Sequence, residues 1–396
     1  MYNMGDLTYL NQPKFMSLET IKEFAEKLKK YCEKEAIKYV QIVFHGGEPL
    51  LLKPDYFEKS VAIFKDTAPN LEYNFTVQTN GVTLDQNWYS LLQKNNISVG
   101  ISIDGPKKYH DEYRVFHNGK GSYDEVVKAV QIGKKYNLLG VLLVVNINIP
   151  VQELYYEIKK LGIEKLNLLL PDGHYDQAPL GLDISQIKKI NYTPFANWFI
   201  ELYKIWKNDK ERPGIYFFES LIKMIMGDEG IGNQLVGKRT NGVIVLETNG
   251  SIEVVDSLRT CFEGITRNEI NIHTNEIEDL FEDQIFQIYY KSHDNVCEQC
   301  LNCPVYDICG GGFLGHRYSF EKGFDNPTVY CKDMVRLITY IQNDILDSLP
   351  KETVEELNVE VLKYETIVDE FTIENEVKID AEIKGKLNSF KKEIHI

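Results

Sequence analysis

Apolar residues in the first 170 positions gather into five short runs: Val40–Phe44, Tyr73–Val77, Ser98–Ser102, Leu139–Val145 and Lys165–Leu170. Each is bounded by turn-forming residues and reads as a strand. Segments of helical periodicity lie between them, near Pro54–Phe64, Asp85–Gln93, Tyr123–Tyr136 and Gln152–Leu161. Strands and helices alternating at this spacing predict parallel strands joined by right-handed crossovers. The runs are almost wholly apolar, as expected of strands covered on both faces. An α/β barrel or partial barrel fits this pattern. A doubly wound open sheet fits it too, and periodicity does not separate them.

The chain opens on a helix rather than a strand. Ser17 is a suitable N-cap for Ser17–Tyr31, Glu19 puts an acid in the first turn, and Ile21, Phe24, Ala25 and Leu28 form one apolar face. Cys32 continues that face as a core thiol. The predicted sheet thus lacks its first strand, which leaves an unpaired edge. After Pro171 the alternation stops. Ile187–Trp206 and Phe217–Met226 read as helices bridging two parts of the protein. Thr248-Asn249-Gly250 between the apolar runs Gly242–Glu247 and Ser251–Val255 predicts a hairpin. A helix over Met334–Leu346 follows, then a Glu-, Lys- and Ile-rich stretch to residue 396. The organisation expected is 1–175 partial barrel, 176–240 helical bridge, 241–346 hairpin and cysteine-rich domain, and 347–396 tail or appendage.

Composition narrows the function. The 396 residues carry a net charge of −15, which argues against nucleic acid as a partner because phosphate binding needs a basic surface. No apolar stretch approaches the roughly 18 residues of a membrane span, and the start lacks a basic and apolar leader. A cytoplasmic location follows as the expectation, and there clustered cysteines favour metal over disulfides.

Six of the seven cysteines lie between residues 261 and 331. Five follow the pattern Cys297-x2-Cys300-x2-Cys303-x5-Cys309, then Gly310-Gly311-Gly312, then Cys331. Thiolates are soft ligands for zinc or iron–sulfur centres. Tetrahedral zinc would accept Cys297, Cys300, Cys303 and Cys309. A cubane needs four thiolates on a wider shell, which the three glycines could wrap.

Three strands end in small polar groups. His45-Gly46-Gly47-Glu48-Pro49 follows the first, Gln78-Thr79-Asn80-Gly81 ends the second, and Ser102-Ile103-Asp104-Gly105-Pro106 ends the third. Ligands of parallel α/β proteins bind at this carboxyl rim. Gly46 and Gly47 allow close backbone approach, and Glu48 can accept from an ammonium group. Hydroxyl and carboxylate groups suit ribose, although Asn-Gly and Asp-Gly are also ordinary turns. Arg114 can pair with a ligand carboxylate or with a surface acid.

Together, Gly46-Gly47-Glu48-Pro49, Ser102-Ile103-Asp104-Gly105 and the cysteine group resemble a radical S-adenosylmethionine (AdoMet) enzyme with a SPASM extension, over about Met1 to Leu346. The segment from Cys309 to Ser319, continuing to Cys331, is similar to the FxsB/GrrM-type members, which modify ribosomally made precursor peptides, several by forming side-chain crosslinks. The resemblance implies a (β/α)6 partial barrel and an AdoMet site made by Gly46, Gly47, Glu48, Ser102 and Asp104, with Arg114. It implies a [4Fe–4S] auxiliary cluster on Cys300, Cys303, Cys309 and Cys331. Phe313 stands where the SPASM pattern has a further Cys. A first auxiliary cluster would have only Cys261 and Cys297 and is expected to be absent or altered. Asp256, close before Cys261, is the candidate base, and the partners implied are a precursor peptide and a reducing electron donor.

One part of the pattern is missing. These enzymes hold their reactive [4Fe–4S] cluster with Cys-x3-Cys-x2-Cys, and no such triplet occurs in this sequence. An internal Met taken as the start would explain both that and the missing first strand. A degenerate subunit that keeps the fold is the rival explanation. In either case the chain as written is not expected to cleave AdoMet unless the segment is restored. Two other classes stay open: a noncatalytic, metal-carrying accessory protein that binds a precursor peptide, and a zinc-stabilised hydrolase, for which no nucleophile–base arrangement is visible.

Overall fold

The five apolar runs are all strands, and a sixth strand of two residues joins them. In the computed structural model, which describes residues 6–228, 230–357, 359–371 and 380–391, the strands are β1 (Tyr39–Phe44), β2 (Glu72–Thr79), β3 (Ile97–Ser102), β4 (Leu139–Val144), β5 (Lys165–Leu169) and β6 (Gly214–Ile215). They pair in sequence order and every pair is parallel. This is the expected partial barrel. The proposed resemblance began at Met1, but Met1 to Gly5 lie outside the described residues, as does part of the tail. The strand β6 escaped the sequence reading because two residues carry no periodicity.

Helix α1 (Leu18–Lys34) precedes β1, and the crossovers contain α2 (Pro54–Thr67), α3 (Gln86–Lys94), α4 (Lys107–Tyr113), α5 (Tyr123–Gly133), α6 (Val151–Leu161) and α7 (Pro194–Asn208). Ser17 caps α1 by accepting from the Thr20 N–H at 3.0 Å. Helix α7 begins at Pro194 rather than near Ile187, since proline suits the first helical position. The short, charged α4 has too little apolar pattern to be read from sequence.

The strands are not covered equally on both faces, which corrects one expectation. Along β2, Phe75, Val77 and Thr79 are buried while Thr76 and Gln78 are half-buried, and β5 alternates in the same way. The buried face packs under the helices. The other face carries the half-buried Thr76, Gln78, Ser98, Ser102 and Asn167, so it is polar enough to hold a ligand. Strand β1 is the sheet edge, with Tyr39 and Val43 exposed.

Beyond β6 come α8 (Tyr216–Ile225), the hairpin β7 (Val245–Leu246) and β8 (Ile252–Glu253), α9 (Gln284–Tyr290), α10 (Glu298–Leu301), α11 (Tyr306–Cys309) and α12 (Cys331–Asp347). This half is fastened to the sheet domain at several points. Lys27 of α1 donates to the carbonyls of Ile272 and Asn275, both at 2.6 Å. Tyr330 donates to the Pro171 carbonyl at 2.7 Å and Tyr175 to that of Pro327 at 3.0 Å. Asp333 of α12 accepts from the first turn of α7, at the Ala196 N–H. The stretch after 347 also packs inward, burying Tyr364, Ile367, Val368 and Leu387.

Candidate functional site at the carboxyl rim and the cysteine loop

At the rim, the ends of β1, β2 and β3 are tied to one another. The Glu48 carboxylate accepts from the Thr79 hydroxyl at 2.7 Å, the Asn80 N–H at 2.8 Å and the Leu50 N–H at 3.1 Å. The preceding Gly46 has φ +125°, and a Cβ there would meet nothing within 4 Å, so the backbone beside Glu48 is open to a ligand. Gln78 donates to the Ser102 hydroxyl at 3.0 Å. That bridge depends on Gly100, whose missing Cβ would stand 2.2 Å from the Gln78 amide oxygen.

Asp104 and Arg114 meet each other. Arg114 Nε donates to Asp104 Oδ2 at 2.5 Å and Nη2 to Oδ1 at 3.4 Å. Of the two readings of Arg114, the structure places it against an acid of the same rim. Buried His110 completes this corner. Its Nδ1 accepts from the Asp104 N–H at 3.2 Å, so its Nε2 carries the proton that faces Ser122. Burial holds the His110 ring below its ordinary range, which keeps it neutral.

Asp256 is brought from the hairpin region to this same rim, with Oδ2 3.7 Å from His45 Nδ1. A second acid, Asp172, follows β5, and sequence reading missed it. The signal was present, because Asp172-Gly173 repeats the strand-end pattern of Asp104-Gly105. Burial, helped by the charge on Asp256, pushes the Asp172 carboxyl up to about 6. Its side chain nevertheless keeps 38% of its surface accessible. His316 Nε2 stands 3.9 Å from Asp172, and both ring nitrogens of this buried histidine lack hydrogen-bond partners.

The cysteines divide into five and one, with Cys32 buried in the α1 core. Cys297 Sγ lies 3.7 Å from Cys300 Sγ. Cys331 faces Cys303, Cys309 and Cys297, and accepts from the Gln299 side chain at 3.3 Å. Cys261 is elsewhere: its thiol contacts the Gly315 carbonyl at 3.9 Å and faces Asp172. The structure therefore does not bring together Cys261 and Cys297, the pair considered for a first auxiliary cluster. Cys297 joins the other group because Cys297-x2-Cys300 spans one helical turn of α10.

The donor set fits a cluster. All seven thiols are free, and burial pushes Cys303 up to about 12. Metal binding would hold these sulfurs as thiolates and release their protons. Among the described residues no three His, Cys, Asp or Glu side chains close on one metal-ion position. Five neighbouring thiols are enough soft ligands for a polynuclear centre or for one tetrahedral ion.

Residues 4–154 match the Radical SAM superfamily model, a range running from ahead of α1 into α6. Over 80% of this chain and 85% of theirs, the protein is 28% identical to the cysteine-type anaerobic sulfatase-maturating enzyme of Clostridium perfringens (strain 13 / Type A). It is 25% identical to the serine-type enzyme of Bacteroides thetaiotaomicron, over 78% of this chain and 77% of that one. Among solved structures, native anSMEcpe with bound AdoMet superposes with TM-score 0.71 at 24% identity, covering 84% of this chain and 90% of that chain. The same enzyme with AdoMet and the Cp18Cys peptide gives 0.70, also at 24% identity, covering 83% and 92%. The fold likeness therefore extends well beyond the residues that match the family model. Among the described residues, no helix is long and apolar enough to cross a membrane.

Proposed function

We propose that this protein is a radical SAM maturase of a peptide or protein, acting on a side chain of a ribosomally made precursor to form a crosslink or related modification. The observation that carries the reading is the 3.7 Å approach of Asp256 to His45. It sets an acid from the cysteine-bearing half over the rim that would hold AdoMet. The likeness to maturases whose solved complexes contain AdoMet and a peptide supports the substrate class.

In this reading Gly46 and Gly47 offer open backbone to the methionine amine, and Glu48, fixed from β2, presents its remaining lone pairs to that ammonium. Ser102 and Asp104 face the ribose, and the Asp104–Arg114 pair fixes the carboxylate in place. Cys300, Cys303, Cys309 and Cys331 would hold a [4Fe–4S] cluster, with Cys297 beside them. Bound in these places, AdoMet would supply a hydrogen-abstracting radical only on receiving one electron from a reduced cluster on a Cys-x3-Cys-x2-Cys segment that these 396 residues lack, and the auxiliary cluster would accept the electron released. Asp256 receives the proton that leaves the substrate, and His45 beside it can stabilise the carboxylate before transfer. The polar face of β2 and β3 keeps the nucleotide end hydrogen-bonded, while the fastened cysteine-bearing half limits water at the rim.

The alternative reading is a noncatalytic accessory protein that binds precursor peptide through the same cleft. The test is anaerobic purification with iron, sulfide and AdoMet-binding measurements, followed by assay for 5′-deoxyadenosine under strong reductant. Iron, sulfide and AdoMet binding are expected. Peptide binding without any deoxyadenosine, even with the codons upstream of Met1 included, would favour the accessory reading. Absence of both iron and AdoMet binding would overturn the two together.

A further inference from the structure

Arg317 is fully buried, and each of its five N–H groups meets a backbone carbonyl. Nε donates to Gly311 at 2.9 Å, Nη1 to Ser292 at 2.6 Å and Asn295 at 3.2 Å, and Nη2 to Gly310 at 3.1 Å and Gly312 at 2.6 Å. Three of these carbonyls come from the glycines directly after Cys309. Gly310, Gly311 and Gly312 have φ of +61°, +75° and +71°, and this left-handed run turns their carbonyls towards the guanidinium. A Cβ on Gly311 would stand 2.9 Å from Arg317 Nη2. The other two carbonyls, Ser292 and Asn295, lie just ahead of Cys297.

The cage satisfies every donor but supplies only dipoles. A guanidinium keeps its proton at any ordinary pH, so a full positive charge is held out of water here. Burying a charge costs several kcal/mol unless an opposite charge accompanies it. The groups facing Arg317 that can become negative include Cys300, Cys297, Cys309 and Tyr306. Ordinary thiols are largely neutral at pH 7 and give no counter-charge; metal-bound thiolates do.

We infer that Arg317 is the built-in counter-ion of an anionic iron–sulfur centre on this cysteine loop, positioned to favour the reduced state and hold the reduction potential up. The inference rests on the cluster assigned under the proposed function. One-electron reduction adds one negative charge to the centre without bond making, and a fixed cation nearby stabilises the more negative state. Five carbonyls lock the fork, so the charge cannot swing away. That makes Arg317 a positioning residue that acts through the cluster rather than on substrate.

The test is potentiometric titration, followed by electron paramagnetic resonance, of the anaerobically reconstituted full chain carrying Arg317→Gln or Arg317→Lys. Arg317→Gln is expected to lower the equilibrium constant for cluster reduction at least tenfold, a fall of 59 mV for one electron. Arg317→Lys is expected to stay near the wild-type potential. An Arg317→Gln cluster with wild-type iron content and wild-type potential would overturn the inference and leave Arg317 a structural clip. If Arg317→Gln does not fold, hydrogen exchange on the wild-type holoprotein takes its place. Amides 310–317 are expected to exchange more slowly after reduction, and identical exchange in both redox states would overturn the inference. Absence of iron from the wild type would instead sink the proposed function itself.

Discussion

The carboxylate of Glu48 is anchored by Asn80, whose backbone N–H donates to it at 2.8 Å from the end of the neighbouring strand. The first rim loop is thus positioned by β2. Replacing the acid by Glu48→Gln weakens a charge-assisted acceptor and turns an amide NH2 towards N–H or O–H donors. A loss of about 1–3 kcal/mol is expected, read as a lower urea midpoint. AdoMet affinity, measured by calorimetry, should fall at least about tenfold, since 1.4 kcal/mol is one decade.

Gly100 and Gln78 make a second coupled pair. Gly100→Ala drives a methyl into the Gln78 amide, which must abandon Ser102. Overpacking of this kind costs about 1–3 kcal/mol. Adding Gln78→Ala should recover most of that loss, because the clash partner is gone. A double-mutant cycle measured by thermal unfolding checks the coupling, and strict additivity would contradict it.

The His110 corner gives a pH dependence with a definite sign. Burial lowers the ring's folded pKa, with Arg114 adding to the fall, while Asp104 and Asp111 oppose it. Below the unfolded value of about 6.5 the unfolded chain binds a proton that the folded one refuses. Stability is therefore lost as pH falls from about 6.5 towards the folded pKa, by up to about 1.4 kcal/mol per unit. His110→Asn keeps an acceptor near the Asp104 N–H but removes the titration. Its urea midpoint should change less than the wild type's between about pH 6.5 and 5.

The division of the cysteines predicts opposite outcomes for two serine variants. Cys331→Ser removes a thiol from the group of five and should reduce iron and sulfide content and the visible absorbance. Cys261→Ser, placed against Gly315 and Asp172, should leave all three unchanged. Loss of iron in Cys261→Ser would reinstate that residue as a ligand. Chelation of the wild type should lower its thermal stability, because cluster binding energy contributes to folding of the loop.

Most of the sheet domain was legible because its strands and helices have clear and different periods. What was not legible depended on pairing across distance. The two residues of β6 are strand only because β5 lies beside them. The half-open face was invisible in the runs because Val, Leu and Ile occur on both faces of these strands. At the site, Gly46 to Glu48, Ser102 and Asp104 stood out as strand-end motifs. Asp172 carried the same Asp-Gly signal but lay at the point where the alternation stops. The approach of Asp256 to His45, 211 positions apart, follows only from the folded chain. Cys261 and Cys297 are the two thiols the resemblance leaves for a first auxiliary cluster, expected to be absent or altered, and only the folded chain shows Cys297 beside Cys300.

The grip of Lys27 on the Ile272 and Asn275 carbonyls has a consequence for how the molecule comes apart. A protease nick in the stretch between α8 and β7 would cut the chain without freeing either half, since α1 would still hold the hairpin region. The two pieces should travel together through gel filtration and melt in one step.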